Sequence, residues 1–187
     1  MSANAILSLS RWVDRLGLLG FWAGSVGLAA MMLHITADVA GRFLLNAPIT
    51  GTLEIVSTYY MIAVSFLPLG FIQSRRYHIE VELFTQHLSG RALAVVEAFA
   101  ALLGLAIFLG IAVSGAFTAW ANTVAGEAVD ATLFDITVWP TRWFLVFGCA
   151  AAALAAFAAF LDRGYHVLHG HAPADAGTAA APRRALA

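Results

Sequence analysis

In 187 residues the chain carries 10 basic and 11 acidic side chains, a formal net charge of -1, and 61% of its residues are hydrophobic against 11% charged. Soluble domains carry roughly 25% charged residues, so this composition excludes a water-soluble fold. Its basic residues fall in ones and twos, which excludes nucleic acid as a partner. The single cysteine, Cys149, excludes an intrachain disulfide or thiol-pair relay and reads as a small packing residue.

The apolar residues gather into four runs, each long enough to cross roughly 30 Å of hydrocarbon as helix. Helix is the form that satisfies every backbone group within one segment in lipid, and the alternating pattern of a barrel strand is absent. The first predicted span covers residues 16–45. It follows Arg11 and Arg15, is too long for a signal-peptide core, and is expected to stay as an anchor. Gly17, Gly20, Gly24 and Gly27 lie at spacings of three and four, a face that calls for a neighbouring helix. His34 is the one histidine within a span, so haem held between two imidazoles of facing spans finds no second ligand in this chain.

Asp38 and Arg42 close this span four residues apart on one helical face. After the turn Asn46-Ala47-Pro48-Ile49-Thr50-Gly51, Glu54 opens the second predicted span, residues 53–72. The spacing brings Asp38, Arg42 and Glu54 together. They read either as an ion-pair clasp that fixes the hairpin or docks another subunit, or as interfacial charges facing water. Pro68 should bend the span.

The loop that follows, Arg75-Arg76-Tyr77-His78-Ile79-Glu80-Val81-Glu82-Leu83-Phe84, mixes charge with apolar side chains. It is expected to lie amphipathically along the membrane surface or to pack on a partner's cytoplasmic face. In the third predicted span, residues 93–120, Glu97 lies more than a turn inside and reads as snorkelling or pairing with an arginine of the preceding loop, ahead of ion coupling. The fourth, residues 138–161, has Pro140 in its first turn, where the missing N–H costs nothing. Trp120, Trp139 and Trp143 fall near the outer boundary of the membrane, as an interfacial belt would place them. Residues 169–187 have too little apolar mass to fold and are expected to be a disordered tail behind a membrane domain of residues 1–168.

Arginine sets the orientation, since the chain has no lysine. Arg11, Arg15, Arg75, Arg76, Arg91, Arg163, Arg183 and Arg184 fall on one side and Arg42 and Arg142 on the other, which puts both termini and the middle loop in the cytoplasm. The fold class is therefore an all-α integral membrane protein with four transmembrane helices. Neither a nucleophile with its base, a phosphate-cradling loop nor a metal-ligand set is legible, so no catalytic, cofactor or metal residue is assigned. The residues point to an accessory membrane subunit. A cytochrome- or quinone-type anchor of an oxidoreductase, and a tetraspan self-associating through its glycine face, stand as alternatives.

A family resemblance rests on residues in a particular order: Asp38-Val39-x-x-Arg42-Phe43, Asn46 and Pro48, Thr52-x-Glu54, His78-Ile79-x-Val81-Glu82, and Pro140. Along nearly its whole length outside the tail, the chain resembles the small permease subunit (DctQ-like) of tripartite ATP-independent periplasmic (TRAP) transporters. The resemblance implies a multi-pass protein of the bacterial inner membrane. It would pair with a large permease subunit bearing the substrate and sodium sites, to which a periplasmic solute-binding protein delivers an organic acid such as a dicarboxylate. Asp38, Arg42 and Glu54 would then lie near the periplasmic face and help in docking, and His78 and Glu82 would order the cytoplasmic loop or contact the large subunit. Two positions depart from the family pattern. Glu82 stands where aspartate is common, a conservative change. Thr52 stands where tryptophan is common, so a stacking role there does not carry over.

Overall fold

A computed structural model describes residues 3–75, 91–130 and 135–169. Four helices follow in chain order: α1, Ala3–Leu44; α2, Thr52–Ser74; α3, Arg91–Ala125; and α4, Trp139–His169. All four are long and apolar enough to cross a membrane. Between α3 and α4 lies a short antiparallel hairpin of β1, Ala128–Asp130, and β2, Asp135–Thr137, with Val129 opposite Ile136. The middle-loop residues 76–90, with His78 and Glu82, and the tail beyond His169 lie outside the described residues.

The helices outrun the predicted spans. α1 begins at Ala3 rather than near residue 16, α3 continues to Ala125, and α4 reaches His169. Hydropathy marks the part of a helix that sits in lipid, whereas helix ends are set by turn chemistry. Asn46, at φ 50°, and Gly126, at φ 67°, provide it here, because both residues tolerate the left-handed conformation. After α1 the Gly41 carbonyl accepts from the N–H groups of both Leu45 and Ala47, satisfying an otherwise orphaned acceptor.

α2 is irregular in two places. Val56–Tyr60 form a π-helical turn, and the helix breaks between Met61–Phe66 and Leu69–Ser74 at Leu67-Pro68. Pro68 has no N–H to donate, and its ring would crowd the carbonyl of Val64 four residues earlier.

Packing centres on α4. α3 runs along one side of it, the Leu69–Ser74 segment of α2 and much of α1 cover others, and α1 also lies along α2. Cys149, Ala152, Ala153, Ala155, Ala156 and Ala158 of α4 are buried, side chains small enough to let three helices approach one axis. The broken turn of α2 is gripped from both sides. The Phe66 carbonyl lies where a Cβ on Gly148 would be, and the Leu67 carbonyl where one on Gly20 would be. Gly17 faces the Phe71 backbone and Gly24 the Pro68 ring. The neighbour of the glycine face is thus α2 of the same chain, which removes the surface that a glycine-mediated self-association requires.

Candidate functional site

Three polar clusters tie the helix ends together, two on the face carrying the α1–α2 and α3–α4 connections and one on the opposite face, where α1 begins and α4 ends.

At the α1–α2 connection, Asp38 is buried and accepts two hydrogen bonds, from Arg42 Nη2 at 3.1 Å and from the backbone N–H of Ile49 at 2.7 Å. The second bond spans the turn. It pins the chain just after Pro48, in which Asn46 supplies the left-handed residue. The Thr52 hydroxyl donates to the Ile49 carbonyl at 3.0 Å as α2 begins from Gly51, itself at φ 83°. The Arg42 side chain is 62% exposed, so one side of its guanidinium holds Asp38 while the rest faces outward. Asp38, Arg42, Ile49, Thr52 and Glu54 line a cleft of about 460 Å³. Glu54 therefore shares the cleft, but among the described residues its carboxylate makes no ion pair with Arg42. The clasp consists of Asp38, Arg42 and the Ile49 amide.

The α3–α4 connection holds a pair that no spacing in the sequence brings together. Arg142 reaches back fifteen residues and binds Glu127 bidentately, Nε to Oε2 at 3.1 Å and Nη2 to Oε1 at 2.7 Å. These hydrogen bonds, with the positive charge behind them, hold the Glu127 carboxyl below its ordinary value of 4.5 against the opposing effect of desolvation. The Glu127 carbonyl accepts from the Val138 N–H at 2.8 Å, closing the base of the hairpin. Trp143 Nε1 donates to the Thr123 hydroxyl at 3.2 Å, joining α4 to α3, and the Tyr59 hydroxyl of α2 donates to the Thr137 carbonyl, tying the hairpin to α2. The signal available in the sequence was one acid and one base flanking a loop, each at the edge of an apolar run. Pro140 sits in the first turn of α4, directly below.

On the opposite face, Glu97 of α3 forms an ion pair with Arg163 of α4. Arg163 is buried, and earlier on the same helix Ala155 and Ala158 pack with Val13 in a cluster that joins α1 to α4. From the sequence, Glu97 is expected to snorkel or to pair with an arginine of the preceding loop. The partner instead comes from the far end of the chain, because an antiparallel α3–α4 hairpin sets the start of α3 beside the end of α4. His34, the intramembrane histidine, packs edge-on against Tyr60, with ring centroids 5.9 Å apart.

Compared with protein-family models, residues 31–163 match the DctQ component of tripartite ATP-independent periplasmic transporters. The comparisons with curated proteins and with solved structures return no match.

Proposed function

The chain belongs to the DctQ component family of TRAP transporters, and from that premise we propose that it is the small transmembrane subunit of an importer for an organic acid, serving as scaffold for the large permease subunit. The family is a transporter component rather than an enzyme family, and its tripartite assembly implies partners of the large-permease and binding-protein kind. The observation that carries the scaffold role is where the buried polar groups are spent. Among the described residues the buried polar side chains are Asp38, Thr141 and Arg163. Asp38 holds the first turn, the Thr141 hydroxyl donates to the Val138 carbonyl at 2.8 Å, and Arg163 pairs with Glu97. Each fastens a helix end, so none of the buried polar side chains is left to receive an organic anion, whose desolvation would go uncompensated.

In this reading the substrate and sodium sites lie in the large permease, which packs against the side of α3 that α4 leaves uncovered. The arginine distribution supports an orientation with both termini in the cytoplasm, so that in a bacterial inner membrane the two connections would face the periplasm. Arg42, held by Asp38 yet facing outward, and Glu54 in the same cleft then present opposite charges to the arriving binding protein. His78 and Glu82 order the cytoplasmic loop or touch the large subunit.

Tagging the chain in its native membrane and purifying it in mild detergent should recover a large permease in near-equimolar amount. Proteoliposomes holding this chain alone should take up no solute, and clear uptake by them overturns the scaffold role. Arg42→Ala should leave the membrane complex assembled while lowering binding-protein-dependent uptake. Unchanged uptake removes Arg42 from docking.

A further inference from the structure

From Ser8 to Leu33 the two sides of α1 differ. Val13, Gly17, Gly20 and Gly24 face the other helices. At 100° per residue, Ser8, Arg11, Trp12 and Arg15 fall on the opposite side, at spacings of three and four. That strip continues without a break through Leu19, Trp22, Val26 and Leu33, all exposed. In the second to fourth turns of the helix, Ser8, Arg11, Trp12 and Arg15 line an open, shallow hollow of about 220 Å³. The Arg15 guanidinium lies over the Trp12 ring, 5.9 Å from its centroid, a cation–π contact that keeps it on this face.

The helix itself supplies a ruler. Arg15 and Asp38 stand about 35 Å apart at a 1.5 Å rise, slightly more than the roughly 30 Å of hydrocarbon. With Asp38 at one boundary, Arg15 reaches the headgroup level of the other leaflet, Trp12 lies about 4.5 Å further out among the headgroups, and Leu19, Trp22 and Val26 lie beside acyl chains. These residues lie N-terminal to the segment that matches the family, residues 31–163.

We propose that Ser8, Arg11, Trp12 and Arg15 form a binding site for the phosphodiester headgroup of an anionic phospholipid, whose acyl chains lie along Leu19, Trp22 and Val26. Guanidinium groups match phosphate oxygens in planar, paired hydrogen bonds. The apolar strip running on from the hollow selects a lipid over free phosphate, because only a lipid fills both. Asp14 lies at the edge of the face, about 60° round the helix from Arg11. The patch thus keeps a net positive charge of one, which favours an anionic headgroup over a zwitterionic one that brings its own cation.

The test uses the full chain in mild detergent, incubated with equal amounts of dioleoylphosphatidylglycerol and dioleoylphosphatidylcholine, with bound lipid counted by native mass spectrometry. Phosphatidylglycerol should be retained preferentially. Arg11→Gln and Arg15→Gln should each lower that preference about fivefold, the usual effect of one arginine at an anionic surface, and Asp14→Asn should raise it. All three side chains lie outside the packed face, so circular dichroism should be unchanged. Three results overturn the site: equal retention by every variant, displacement of phosphatidylglycerol by inorganic phosphate, or cross-linking of this face to a co-purified large permease that excludes the lipid.

Discussion

The most apolar stretches of α3 and α4 have the same mean hydropathy and opposite surroundings. In the most apolar stretch of α4, 39% of residues are buried within the chain, against 6% in that of α3. Side-chain size separates them. The middle of α4 reads Gly-Cys-Ala-Ala-Ala-Ala-Leu-Ala-Ala-Phe-Ala-Ala, with its Leu154 and Phe157 turned outward, whereas α3 carries Phe99, Leu102, Leu103, Ile107 and Phe117 on its exposed side. In lipid there is no hydrophobic drive to bring helices together, so association depends on close van der Waals contact, which small residues permit. Hydropathy tells which helix enters the membrane; size tells which one the others gather around.

Overfilling the α4 seam is the most direct way to break this comparison. Gly148→Leu places a side chain where the Phe66 carbonyl lies and should cost about 3 kcal/mol or prevent folding, seen as a lost or strongly lowered thermal transition in detergent. The matching changes Gly104→Leu and Gly110→Leu in α3 meet open space and should leave that transition within about 0.5 kcal/mol. Equal effects in the two helices would reject α4 as the centre. Ala152→Leu and Ala156→Leu, at positions with no exposed area, should each cost about 2 kcal/mol by the same overpacking.

Smaller effects belong to the ends of the α3–α4 pair. Glu127→Gln should lower stability at neutral pH by about 0.5 kcal/mol, the scale of a partly exposed ion pair. Arg142 depresses the Glu127 carboxyl in the folded protein, so its contribution is complete above the ordinary value of 4.5. It is lost as pH falls through the depressed folded value. Melting curves of the wild type and Glu127→Gln should therefore differ at pH 7 and converge in acid. The smallest effect is expected from Phe117→Ala, at a residue that is 74% exposed. It should change the stability of the isolated chain by less than about 0.5 kcal/mol while reducing the large permease recovered with it, which separates a lipid- or partner-facing side chain from a core one.

The clasp at Asp38 and Arg42 was legible because both residues lie on one helix, where a separation of four guarantees proximity. The Ile49 amide was not, since no side-chain pattern reveals that a backbone N–H eleven residues on will turn inward to a carboxylate. Glu54 follows the same logic in reverse. It reaches the cleft that the turn creates, yet nearness in sequence did not ensure an ion pair. Glu97 had to wait for α4, and the partner of Glu127 for the geometry of a loop.

By itself the sequence determined that the chain is a four-span helical membrane protein of the transporter family its motifs resemble. Apolar run length, arginine placement and motif order are all one-dimensional quantities, and the bilayer is a solvent that reads the first of them directly. Tertiary structure decided that the glycine face of α1 is spent on α2, that α4 is the axis, and that Arg142 and Arg163 close the two ends of its pairing with α3. Those outcomes depend on which small surfaces meet at van der Waals distance and on where each loop returns the chain, and both are settled only when the helices pack.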